Sequence, residues 1–418
     1  MKKYSFYAVS CILIYLSIEL VAAGGLFLLK KVQHLEYHPI LTASLPSLEQ
    51  RTLQDLIDGK TTYLFHNAIL GWTIKPGGYW YDLYRANAQG IRGDREYQNV
   101  PQKNIIRIVT FGDSFTHGEE VKNADTWQEQ MNQVRQNLEV INFGVGGYGL
   151  DQSFLRYRNE GRLYNPHIVF IGFMEENINR LVNIFRPFYL PGIPLTKPRF
   201  ITQGKQLVLM PNPMADFNDC KNLLHNPKIF LSKFGAHDFH YNVGLKDGPL
   251  DFSPAVRMLK LLYNRIYSSY LEYTDKSIYK SGYFNPKSEA FRICVTLFDT
   301  FYHEVQKNNS LPVIVLFPNR TDIERYRKYK TKVYSPLIEY FHSKGYRFID
   351  VIDAFEKYAK SSRTDELFLK QHYSSLGNSV VARFLLDYLS ENSFTSAPAF
   401  TTAISSPGMP KPAEVKKP

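Results

Sequence analysis

The residues most able to do chemistry lie in VTFGDSFTHGEE, 109–120, where an apolar run ends in Gly112-Asp113-Ser114 and a helix can begin. A serine in that place is either a helix cap, a role Asp113 shares, or a nucleophile displayed at a strand end. A hydroxyl attacks weakly at neutral pH. It needs an imidazole to take its proton and N–H donors aimed at the oxyanion that forms. Three other segments offer those parts. INFGVGGYGLDQ, 141–152, places four glycines after a second apolar run, and Gly147 lets the backbone turn and present an N–H. IGFMEENINR, 171–180, brings Asn177 to the end of a third run, and ELFLKQHYSSLGN, 366–378, sets His372 ahead of the last helix with Ser374 as its cap. Ser114, His372 and a donor set of the Ser114 N–H, the Gly147 N–H and the Asn177 amide supply what acyl transfer requires. His117 reads as a surface-loop histidine. Arg180 and Arg186 read either as receivers of an anionic or sugar substrate or as partners of the local carboxylates.

These parts have to be positioned by alternating elements. Short β-branched runs at 104–111, 139–143, 167–172, 311–317 and 346–351 have the look of strands buried on both faces. Helical stretches at 124–136, 150–163, 175–184, 286–307, 322–344 and 374–389 separate them. That alternation predicts a parallel, doubly wound α/β sheet, with ligands beyond the carboxyl ends of the strands. Residues 32–103, with GWTIKPGGYWYDLY and NAQGIRG, read as a small β-rich module against the sheet. Residues 185–310 read as a mostly helical insertion with a hairpin at RFITQGKQLVLM, and 104–394 as the main domain that contains it.

The chain of 418 residues is 44% hydrophobic, enough for a sizeable core. It carries 50 Lys+Arg against 39 Asp+Glu. Seven of the lysines and two of the glutamates fall in the first 31 residues and after Phe394, which leaves 43 against 37 in the body. No basic stripe of the kind nucleic acid requires is present, so a membrane surface suits the excess better. Residues 6–29 form a mostly apolar stretch with one charge, Glu19, and are flanked by Lys2, Lys3, Lys30 and Lys31. Roughly 20 such residues cross a bilayer as a helix. Residues 1–31 therefore read as an uncleaved signal-anchor, with a cleavable signal peptide as the alternative, and place the body outside the cytoplasm. The proline-rich 395–418 reads as a disordered tail. The cysteines show no metal-ligand spacing; Cys220 and Cys294 either pair or pack.

FGDSF, NFGVGG and the segment from His372 through Ser374 to Gly377 together resemble the SGNH hydrolase superfamily, the GDSL-type esterases and lipases. GWTIKPGG and GIRGD are similar to the stretch that precedes the first block in a bacterial subset. The resemblance spans about 65–184 and 310–390. It implies a flavodoxin-like α/β/α sandwich on a five-stranded parallel sheet, ester hydrolysis or acyl transfer by Ser114, Gly147 as the oxyanion glycine, and no metal or other cofactor. Two departures bear on detail. The third block usually reads Gly-x-Asn-Asp, whereas Gly172 is followed by Phe173-Met174-Glu175-Glu176-Asn177, so either Asn177 or Glu176 takes the asparagine's place. The last block usually carries an aspartate three residues before the histidine. That position is Leu369, which leaves Asp365 or Glu366 to orient the imidazole, or a Ser-His dyad.

The implied function is a membrane-anchored serine esterase acting on an acylated carbohydrate, such as an O-acetyl group of an envelope or extracellular polysaccharide. A glycan O-acyltransferase using the same serine and a catalytically weak binding or assembly module are the alternatives. The residues leave the acyl group and oligomeric state open.

Overall fold

Five short, mostly apolar or β-branched segments form one parallel sheet because most of their residues can be buried on both faces. They are β1 (Ile106–Phe111), β2 (Leu138–Asn142), β3 (Ile168–Phe173), β4 (Leu311–Leu316) and β5 (Phe348–Asp350). The structure is a computed structural model, which describes residues 2–204, 206–392 and 394; the proline-rich 395–418 lies outside them. The strands are ordered β2-β1-β3-β4-β5, and the registers, Ile108 opposite Ile168 and Val315 opposite Ile349 among them, are parallel throughout. This is the flavodoxin-like order.

Alternate residues of β1 serve different cores, as a strand's period of two demands. Val109 and Phe111 pack with Phe154, Tyr157 and Phe298 on one side. Ile106 and Ile108 pack with Trp127, Met131 and Leu385 on the other. Helices Leu150–Asn159 and Glu289–Lys307 thus cover one face, and Trp127–Val134 and Ser375–Glu391 cover the other. The expected α/β/α sandwich is present.

Several expected helices differ in length. The stretch 322–344 is two helices, Arg320–Tyr329 and Ser335–Lys344, because Lys330 adopts a left-handed conformation that ends the first. Only Asn177–Arg180 is helical within 175–184. Within 185–310 the hairpin pairs Arg199–Gln203 with Gln206–Met210, but Glu289–Lys307 is one of the sheet's own layer helices. The stretch 32–103 opens with a helix, Ser47–Ile57, before hairpins Leu64–Asn67/Gly71–Ile74 and Tyr79–Trp80/Tyr84–Arg85. All three cysteines are free, with Cys220 and Cys294 buried. One N-terminal helix, Lys2–Gln33, is long and apolar enough to cross a membrane.

Since β1 lies between β2 and β3, the chain leaves it in opposite directions on the two sides. A crevice opens there beyond the carboxyl ends of the strands.

Candidate active site

Asp113, not Ser114, is the cap. Its carboxylate accepts the Phe115 N–H at 2.9 Å, and Ser114 is the first residue of the short helix Ser114–His117. The Ser114 hydroxyl makes no hydrogen bond to any described residue and faces a cleft of about 570 Å³, whose wall includes Gly147, Glu176, Arg180, Arg186 and His372. Residues 258 positions apart in sequence thus share one rim. The Ser114 and Gly147 N–H groups also have no hydrogen-bonding partner among the described residues. Gly147 holds φ +78°, a conformation that favours glycine. Gly144 permits the turn for another reason: a Cβ there would lie 2.3 Å from the His117 nitrogen.

The stretch before β1 braces this rim. Trp72, fully buried, donates its indole N–H to the Gly146 carbonyl at 3.0 Å, and the Tyr148 hydroxyl donates to the Trp72 carbonyl at 2.6 Å. Arg92, from GIRGD, enters beneath the nucleophile turn. Its guanidinium donates to the Val121 carbonyl at 2.7 Å and stacks 4.4 Å over the Tyr84 ring. His117 is therefore buried rather than on the surface. Its Nδ1 lies 2.9 Å from Arg92 Nη1, and its Nε2 lies 2.6 Å from the Tyr63 hydroxyl. A guanidinium only donates, so the imidazole beside it is neutral. Burial, with the Arg92 charge adding to it, holds His117 well below the ordinary histidine range.

His372 stands on the opposite wall in a different setting. Its Nδ1 is 3.1 Å from Glu120 Oε1, an ion-pair contact without the alignment of a directed hydrogen bond. Its Nε2 is 3.6 Å from Glu119 Oε2. No hydrogen bond joins His372 to Ser114, an arrangement common before substrate draws such groups together. Glu120 also accepts the backbone N–H groups of Lys370 at 2.9 Å and Gln371 at 3.2 Å, which fixes the loop that carries the histidine. Burial opposes the charge on both groups. The contact with His372 and these N–H bonds outweigh it for Glu120, which falls to about 2. Burial likewise works against the charged form of His372, yet the two glutamates leave its pKa above the usual value.

Two of the predicted site residues are placed elsewhere. Asn177 is fully buried and does not line the cleft, and its amide donates one of its two N–H groups to Asp113 at 2.6 Å. Asp365 is exposed and paired with Arg320 and Arg363. The carboxylate at Nδ1 of His372 is Glu120, six residues after the serine. Its signal was present in GDSFTHGEE but carried no hint of pairing with a residue 252 positions away. Glu176 does reach the cleft, where Arg180 at 3.1 Å and Arg186 at 3.2 Å balance it. Burial raises Glu176, but these two guanidiniums bring it below its ordinary range. Ser374 caps the last helix as expected, accepting the Gly377 N–H at 3.1 Å.

No family model matches the sequence, and no curated protein does. Among solved structures the chain is similar to an acetyl xylan esterase, at 13% identity over 68% of this chain and 100% of that one, with a TM-score of 0.34. A lipase/acylhydrolase from Enterococcus faecalis is similar at 14% identity over 68% and 95%, with a TM-score of 0.33. A member of the lipolytic protein G-D-S-L family from Veillonella parvula is similar at 12% identity over 68% and 97%, with a TM-score of 0.29.

Proposed function

We propose that the chain is a membrane-anchored serine esterase of the SGNH type, acting on an acylated carbohydrate outside the cytoplasm. One observation carries the reading. A serine hydroxyl and two backbone N–H groups, none with a hydrogen-bonding partner among the described residues, share a cleft with a histidine backed by a carboxylate.

The Ser114 oxygen attacks the acyl carbon while His372 Nε2 takes its proton. Glu120 at Nδ1 stabilises the imidazolium that forms. The Ser114 and Gly147 N–H groups hold the oxyanion. His372 then returns the proton to the departing alcohol, and water repeats the sequence to free the acid. Asp113 keeps the Ser114 turn in shape through Phe115 and Asn177 rather than touching substrate. The polar wall, with Arg186 paired to Glu176, Arg320 to Asp365 and Lys370 beside them, suits a polar, oxygen-rich leaving group.

Hydrolysis of p-nitrophenyl acetate by the detergent-solubilised chain tests this. Wild type is expected to be active and Ser114→Ala to fall to background. Equal rates in the two reject the assignment.

A further inference from the structure

The longest helix of the insertion, Pro254–Tyr273, exposes Leu259, Leu262, Tyr263, Ile266, Tyr270 and Tyr273. Steps of three and four put them on one face. Ile266 is 71% and Tyr273 85% exposed, so none of the described residues covers the row. An exposed apolar face of that length marks a surface that meets something other than water.

Its neighbour indicates what. The helix runs beside the apolar helix Lys2–Gln33, and three ties set the two in parallel. Glu19 accepts the Ser253 hydroxyl at 2.6 Å and the Ala255 N–H at 3.1 Å, so the one carboxylate inside the apolar stretch caps the insertion helix. At Gly25 an added Cβ would lie 2.3 Å from the Met258 side chain. Arg265 donates to Gln33 at 3.2 Å. Glu19 precedes Leu29 by ten residues, about 15 Å of helix, or half of a hydrocarbon layer about 30 Å thick. On the anchoring reading the start of Pro254–Tyr273 therefore lies at lipid depth, and the eight residues after Arg265 rise about 12 Å past Gln33.

The composition of the row follows that depth. The leucines come first and the tyrosines toward the water side, the order found at membrane interfaces. Leu250 and Phe252, exposed on the loop before the helix, extend the apolar end. The charge on the deep half turns inward, with Lys260 bonded to Asp251 at 2.5 Å and to the Tyr37 hydroxyl at 3.2 Å.

We propose that Pro254–Tyr273 is a second membrane-contacting helix whose Leu/Ile/Tyr face is occupied by phospholipid acyl chains and headgroups. The same insertion carries Arg186 and Leu190 to the cleft, so the bilayer holds the segment that shapes the substrate site. The inference rests on the anchoring reading.

The test uses the full chain in phosphatidylcholine/phosphatidylglycerol vesicles, in a Cys11→Ser background in which Cys220 and Cys294 are buried. An environment-sensitive fluorophore is attached through Leu259→Cys, Ile266→Cys or, as a control on the body, Leu163→Cys. The first two labels should be blue-shifted and lose emission to lipids carrying an acyl-chain nitroxide, while the third responds only to aqueous iodide. Labels at 259 and 266 that behave like the control, with the protein still on the vesicles, overturn this inference alone. Shielding from both quenchers together with disulfide-linked I266C dimers assigns the row to a second copy and also overturns it. Failure to stay with the vesicles overturns both it and the anchoring.

Discussion

The two walls of the cleft are built by different forces. The Ser114 wall is held by packing and directed hydrogen bonds from the stretch before β1: Trp72 on the Gly146 carbonyl, Arg92 under the turn, and a neutral His117 against Tyr63. The His372 wall is a short loop held by charge, with Glu120 gripping three consecutive residues and the imidazole. A buried wall whose arginine stays charged and whose histidine stays neutral does not change with pH in the working range. A wall fastened by a carboxylate and an imidazole does. The difference teaches that the nucleophile's position belongs to the fold, whereas the competence of the base is an electrostatic setting that can be moved separately.

Glu120→Gln should break the His372 wall most. Loss of the orienting charge in a serine triad costs up to about 10⁴ in rate, and a fall of about 10²–10⁴ in kcat is expected. The pH profile supplies the sign. His372 must be neutral to act as base and the two glutamates raise its pKa, so activity should rise with pH through a limb above the ordinary histidine range. Removing the Glu120 charge should move the limb to lower pH. A limb that stays where it was, or an unchanged kcat, would show that another group sets the imidazole. The stability linkage runs the same way: the raised His372 adds stability below the unfolded value, lost as pH climbs through the folded one. Glu120, at about 2, adds stability above its unfolded value that is lost as pH falls toward about 2.

Trp72→Ala attacks the other wall by removing a fully buried indole. Such truncations cost about 3–5 kcal/mol, read as a lower denaturation midpoint in urea. The surviving folded fraction should keep the wild-type position of its acid limb while its rate drops, since the oxyanion loop loses its brace. A shifted limb would mean that the walls are coupled. The smallest effect belongs to Asp365→Asn. Water screens an exposed pair with Arg320, so it adds little to stability, and activity should be unaltered; a large loss of kcat would return Asp365 to the site.

Much of this molecule was legible in order. The β-branched runs of β1, β3 and β4 announce their burial, and the Ser114 and His372 segments both arrive at the same rim. The glutamates were visible but mute. Asp365 was attractive because of its place before His372, yet the loop turns it out to Arg320. Asn177 had the right amide at the right strand end, but it is buried against Asp113 and does not line the cleft. Glu19 was visible as the one charge in the apolar run, but not its partner Ser253, 234 residues on.

The sequence by itself determined the alternation of elements, the strand ends that carry reactive groups and the apolar N-terminal helix, because these follow from local periodicity and turn chemistry. Tertiary structure alone decided which carboxylate meets the imidazole and which amide is kept from the cleft. It also decided which helix lies against the anchor. Those choices turn on contacts between residues far apart in the chain, where a few ångströms of loop path outweigh any pattern of neighbours.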